Sequence, residues 1–287
     1  MGLNLRHIGI LTATHLRHAL GSGRGLRYLV LFGLLGAIIA YVVVSPILGL
    51  IETVSAEELA LFNQRLAPVV DWWIDAAGPS DPRVVFLMDE RPAVLSAVFV
   101  VLTGFMPWVA CVAPGNHLAR EITHRELRFI ALRSKRHDIL MSRFLGSVGL
   151  LSTASLLLLM TLAIYVGISV HSVPISEALW WSVEGWFALT LVAMPYIGLG
   201  ILVSVAVPVP AATRVLTVVI AGTVPIALHR LAAEFDVRGL VKLDPWAWKY
   251  HVLAPPPGQE LPSILVIVGF TVIPLTIAAS VFKRRGL

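Results

Sequence analysis

The chain has 287 residues, of which 57% are hydrophobic and 14% charged, and carries a formal net charge of +5. Together with a mean hydropathy of +0.84, this excludes an ordinary soluble domain, in which about a quarter of the residues are charged. One cysteine, Cys111, excludes an intrachain disulfide and a cysteine-built zinc or iron-sulfur centre.

Lipid is then the solvent that the fold must satisfy, and in lipid a backbone pairs its own polar groups, so an all-α fold is expected. A crossing helix needs roughly 20 apolar residues. Six stretches meet that requirement: 28–48, 94–114, 144–168, 183–206, 211–229 and 263–282. None shows the apolar and polar alternation of a barrel strand.

Residues 1–25 come first. Leu5, Ile8, Leu11, Leu16 and Leu20 recur at helical spacing with Arg6, His7, His15, Arg17 and His18 between them. The pattern fits a helix lying along a membrane surface, or a basic flank that orients the first span. Gly21, Gly23 and Gly25 suit a bend into the membrane. The apolar run that follows is too long for a signal peptide and lacks a small-residue cleavage site, so it reads as a retained first span.

The loop 49–93 places Leu59, Phe62, Leu66, Val69 and Trp73 at helical spacing, which predicts an amphipathic helix bent near Pro68. Asp71 and Asp75 lie four apart, but two carboxylates make a poor cation site, and an exposed acidic face is the expectation. Between the second and third spans, 115–143 is too basic for lipid. Ile122, Leu127, Ile130, Leu132, Ile139 and Leu140 alternate there with seven basic residues in Ala119–Gly146, which predicts short helices that leave the membrane, turn near Ser134 and return. Such a segment serves either as a protrusion for a partner or as a connector held near anionic lipid. Between the fifth and sixth spans, 230–262 carries Pro245, Trp246, Trp248, Tyr250 and Pro255 to Pro257. It fits a short helical pair dipping into the outer leaflet, or an anchored loop.

Charge sets the expected orientation. The N-terminal arm, 115–143, Arg214 and the tail Lys283, Arg284 and Arg285 hold the larger share of the 22 Lys and Arg, with Glu121, Glu126 and Asp138 as their acids. This set is expected in the cytoplasm, with both termini. Trp72, Trp73, Trp180, Trp181, Trp186, Trp246 and Trp248 fall in or beside the opposite loops, as interfacial tryptophans do. No charged residue lies near the centre of an expected span: Glu184 and Arg214 sit toward ends. That weighs against a proton-coupled carrier or an intramembrane hydrolase. Pro107, Pro195, Pro225 and Pro274 are expected to kink their helices.

No phosphate-loop pattern occurs, so ATP is not bound by that route. His7, His15, His18, His124 and His137 come without Cys or paired carboxylates at ligand spacing and read as interfacial polar residues. No catalytic, cofactor-binding or metal-binding residue is assigned.

Glu121, Leu127, Ile130, Arg136, Ile139, Leu140 and Arg143, followed by Phe144-Leu145-Gly146, stand in the order in which bacterial ABC transporter permeases of the ABC-2 type pass from their second to their third span. Arg125-Glu126 stands where that family has Gly-Thr, Ser134 replaces its turn proline, and the spacing is one residue shorter. The chain resembles this family along its whole plan. The resemblance implies a single permease domain, 1–287, in the bacterial inner membrane, working as a homodimer or heterodimer of permeases on separate ATPase subunits that bind the ATP. It implies a coupling role for 115–143, with Glu121, Arg125, Glu126, Arg128, Arg133 and Arg136 facing the ATPase, and export as the usual direction. Nucleic acid is not expected as a partner. Two other classes compete: a membrane-embedded enzyme acting on lipid, which needs acids, histidines or a metal cluster at one interface, and a noncatalytic scaffold or immunity protein, which tolerates charge reversal at Glu121, Arg125 and Arg128.

Overall fold

The structure is a computed structural model that describes residues 5–21, 93–123, 134–169, 174–245 except 208, and 260–284, with single positions at 29, 30, 32–34, 36–38, 41, 247, 248 and 252. The described residues contain no strand. They form α1 (Leu5–Gly21), α2 (Ala93–Thr123), α3 (Arg136–Ser169), α4 (Ile175–Ala206), α5 (Pro210–Glu234) and α6 (Glu260–Arg284). A 3-10 helix, Arg238–Leu243, lies between α5 and α6.

Among the described residues, four helices are long and apolar enough to cross a membrane: α3, α4, α5 and Leu261–Arg284 of α6. The chain is thus built as a membrane-embedded helical protein. The expected second span falls inside α2, whose described apolar stretch is Leu102–Cys111. The described positions from 29 to 38 are helical, where the first span is expected. The amphipathic helix expected around Pro68, with Asp71 and Asp75, lies outside the described residues.

Two boundaries differ from the sequence expectation. The segment 115–143 is helical as far as Thr123 and again from Arg136, with a bend at Ser134 where the turn is expected, but these parts continue α2 and α3 instead of forming separate short helices. Its Arg, Glu, Leu and Ala residues are good helix formers, so α2 and α3 continue past their apolar parts. At ~1.5 Å per residue, the 34 residues of α3 span roughly 50 Å, against a hydrocarbon core of about 30 Å. Likewise α4 starts at Ile175, ahead of the expected fourth span 183–206, because Pro174 fixes the entry and Glu177 lies in the first turn, where the helix dipole favours an acid.

Helix α4 is the axis of the bundle. In its most apolar window 78% of residues are buried, against 44% for α3, 22% for α5 and 17% for α6. Helices α2, α3 and α6 pack along it, α5 leans on α2 and α4, and α1 lies against α3. In lipid, burying apolar surface between helices gains little, and association depends on close approach, dispersion and interhelical hydrogen bonds. Gly198 supplies close approach: a Cβ there would sit 3.2 Å from Cγ of Pro274 and 3.3 Å from the Thr271 carbonyl oxygen. The α3 and α4 contact adds hydrogen bonds to apolar packing. Trp186 Nε1 donates to the Ser152 carbonyl (2.9 Å) and lies 2.8 Å from Ser152 Oγ, while Ser182 Oγ donates to the Leu159 carbonyl at 3.2 Å.

Trp181, expected at the interface, is a core residue instead. It is buried, and its ring meets Phe99 of α2 edge to face at 90°, with centroids 5.7 Å apart. The adjacent Trp180 is 63% exposed. Consecutive residues on a helix point about 100° apart, so one tryptophan enters the bundle and the other leaves it.

Candidate functional site

Two regions concentrate polar groups. The first is the end of the bundle where α2 stops, α3 starts and α6 stops. Arg143 grips Glu121 through both arms, with Nη2 2.8 Å from Oε1 and Nε donating to Oε2 at 3.0 Å. The two side chains are 14% and 16% exposed, so the pair is shielded from most solvent screening. Arg136 donates through Nη1 to the carbonyls of Phe282 (3.1 Å) and Lys283 (3.0 Å). These are among the last carbonyls of α6, which lack partners inside the helix, and a guanidinium also complements the negative end of the helix dipole.

Of the residues that the resemblance places against an ATPase, Glu121 and Arg136 are described, and both are engaged within the chain. Arg125, Glu126, Arg128 and Arg133 lie outside the described residues. Asp138, in the first turn of α3, is buried, with Oδ2 lacking a hydrogen-bond partner.

The second region was not recognised in the sequence. A cavity of about 280 Å³ lies over α4, with Pro195 and Tyr196 as its floor, Ala221 and Pro225 of α5 on one side, and Pro274 and Ile277 of α6 on the other. Asp244 and Pro245, from the chain between α5 and α6, close one end. That chain reaches the cavity by a sharp turn after α5, in which Asp236 takes a positive φ of 50°, a conformation that Asp tolerates better than most side chains. The 3-10 helix Arg238–Leu243 follows, and the Asp244 carbonyl accepts from the Ala247 amide at 3.1 Å.

Asp244 is 1% exposed. His229 Nδ1 lies 4.0 Å from its Oδ2, and at 2.9 Å from the Pro225 carbonyl that nitrogen carries a proton toward the carbonyl. Tyr196 is 4% exposed, and its hydroxyl has no hydrogen-bond partner. The lining is otherwise apolar. An acid that the sequence assigned to an outer loop therefore lines a cavity shared by three long apolar helices. The available signal was the set of mid-helix prolines, of which Pro195, Pro225 and Pro274, though not Pro107, line this cavity.

Among the described residues no three His, Cys, Asp or Glu side chains gather as a metal site would require. Cys111 is buried, with Sγ 3.9 Å from the Tyr196 carbonyl. Compared with models of known protein families and with curated protein sequences, the chain matches none.

Proposed function

We propose that the chain is the permease subunit of an ATP-driven exporter in the bacterial inner membrane, paired with a second permease copy or paralogue and driven by separate ATPase subunits. One observation carries this reading. The basic connection between α2 and α3 begins and ends on helices that are clamped to each other by Glu121 and Arg143, and α3 is clamped to the end of α6 by Arg136. A push on that connection is transmitted to three helices at once, because none of them can shift without breaking a charge-assisted hydrogen bond. The connection supplies Arg125, Glu126, Arg128 and Arg133 for charge-paired docking on the ATPase. On this reading the end carrying Arg136 and Arg284 faces the cytoplasm, α1 lies along the inner surface, and rigid-body tilting of the spans opens the path between permease copies.

The test is purification of the tagged full-length chain from its native membranes. A phosphate-loop ATPase is expected to co-purify in fixed ratio and to be lost on combined Arg125→Glu and Arg128→Glu substitution, with the chain still monodisperse. A chain that purifies without any ATPase, or that keeps its ATPase and its transport after both reversals, overturns the assignment.

A further inference from the structure

We propose that the cleft between α5 and α6 is a binding site for one acyl chain of a bilayer phospholipid, which enters through the open flank near the middle of the membrane. The proposal goes beyond the transport reading and rests only on α5 and α6 crossing a membrane, so the absence of an ATPase partner leaves it standing.

The shape of the cleft comes from packing. Helices α5 and α6 both lean on α4 and make little contact with each other, so the space over Pro195 and Tyr196 stays open between them. Val224 on one wall is 47% exposed, and Ile273 and Ile277 on the other are 59% and 47% exposed, so the cleft opens sideways on the apolar flank of the bundle. Depth then decides what reaches the opening. Val224 and Pro225 lie within about one helical turn of the midpoint of α5, and Ile273 and Pro274 lie equally close to the midpoint of α6. At that depth a bilayer presents hydrocarbon, and neither headgroups nor bulk water.

The chemistry of the occupant follows from what lines the cleft. The described lining residues are apolar except Tyr196 and Asp244. The Tyr196 hydroxyl and Asp244 Oδ2 are both buried within the protein, and Asp244 is engaged inside the chain, so these walls present carbon to the open space. An apolar cavity excludes water and takes apolar guests. Left empty, it forfeits the dispersion contacts of every atom that lines it. Hydrocarbon is what both the walls and the depth select, and a phospholipid supplies it with its headgroup still at the membrane surface. The cavity of about 280 Å³ falls just below the roughly 300–1,000 Å³ usual for whole organic ligands. That size suits a segment of one chain, with the rest of the lipid lying outside the flank.

The experiment reconstitutes the full-length chain in nanodiscs of dioleoylphosphatidylcholine doped with a phosphatidylcholine that carries a diazirine at the end of one acyl chain. The labelled residues are mapped after irradiation. Val219 is the internal control, since it is the same residue type on the same helix at the same 47% exposure but does not line the cleft. Labelling at Val224 is expected to exceed that at Val219 several-fold. Ala221→Phe, which places a ring in the cleft, is expected to remove the excess without changing the labelling of Val219. If that variant does not fold, Ile277→Trp at the exposed rim takes its place. A diazirine beside the headgroup is expected to leave Val224 unlabelled. Equal labelling of Val224 and Val219, an excess that persists in a folded cleft-filling variant, or equal labelling of Val224 by the headgroup probe would each overturn the proposal. So would a disulfide between copies carrying cysteine at Val224 and Ile273, which would make a second chain the occupant.

Discussion

Arg143 of α3 holds Glu121 of α2 in a two-point contact, with both side chains largely shielded from solvent. The two residues are 22 positions apart, and their pairing ties the start of one long helix to the end of another. Glu121→Ala leaves a guanidinium shielded and uncompensated, so it is expected to cost roughly 1.5–3 kcal/mol. Thermal unfolding in detergent reads this directly. The double variant Glu121→Ala with Arg143→Ala is expected to lose less than the sum of the single losses, and additivity would show that the contact contributes nothing.

Arg136 stands in for the missing helix partners of the Phe282 and Lys283 carbonyls. Its replacement by Ala is expected to lower stability by about 1 kcal/mol and to speed amide exchange in the last turn of α6 while leaving the middle of α4 protected. Lys restores the charge without the planar fork and is expected to recover only part of the effect. Exchange rates in α6 that do not respond to either variant would remove Arg136 from this role.

Gly198 marks a close approach of α4 and α6. A single methyl there meets the Pro274 ring and the Thr271 carbonyl, neither of which is the loose end of a flexible chain. Gly198→Ala is therefore expected to cost about 1–3 kcal/mol through overpacking, and Gly198→Leu to abolish the monodisperse species on gel filtration. By contrast Gly33, at which a Cβ meets nothing within 4 Å, is expected to accept Ala without loss.

Trp181 separates packing from hydrogen bonding. Its Nε1 is buried without a partner, whereas the ring packs on Phe99. Trp181→Ala is expected to cost roughly 3–5 kcal/mol, and Trp181→Phe far less, because it discards an unsatisfied donor along with part of the ring. For comparison, Ser152→Ala removes a partner of Trp186 and is expected to cost about 0.6 kcal/mol, typical of interhelical hydrogen bonds within membranes. A Phe variant as unstable as the Ala variant would contradict this division.

The long apolar runs made α3, α4, α5 and α6 legible from the sequence, since few residues other than those in a lipid-crossing helix form such runs. Their ends were harder to place. Charged positions such as Arg136 and Asp138 belong to α3, yet hydropathy assigns them to a loop. Helix α4 is apolar almost all round, so nothing in its pattern states that Trp181 faces inward and Trp180 outward. Glu121 and Arg143 were both visible as notable charges, but their pairing depends on the crossing of two helices. Asp244 was the least legible. Its stretch reads as a short helical pair or an anchored loop, and only the tertiary path of the 3-10 segment brings Asp244 and Pro245 to the cavity that Tyr196 lines.

The shared position of Pro195, Pro225 and Pro274 has a mechanical consequence. Each proline removes a backbone hydrogen bond and leaves its helix a compliant joint, and all three joints ring the same space. Bending α4, α5 or α6 at these points changes the width of that space before it disturbs the contacts that Trp186 and Trp181 make on α4's other neighbours. Stiff segments on either side of one soft zone convert a small tilt at the basic end into opening or closing at the middle. Replacing one proline by alanine would stiffen a single rod of the three, and the resulting mismatch with its neighbours would be felt at the carboxylate that caps the gap.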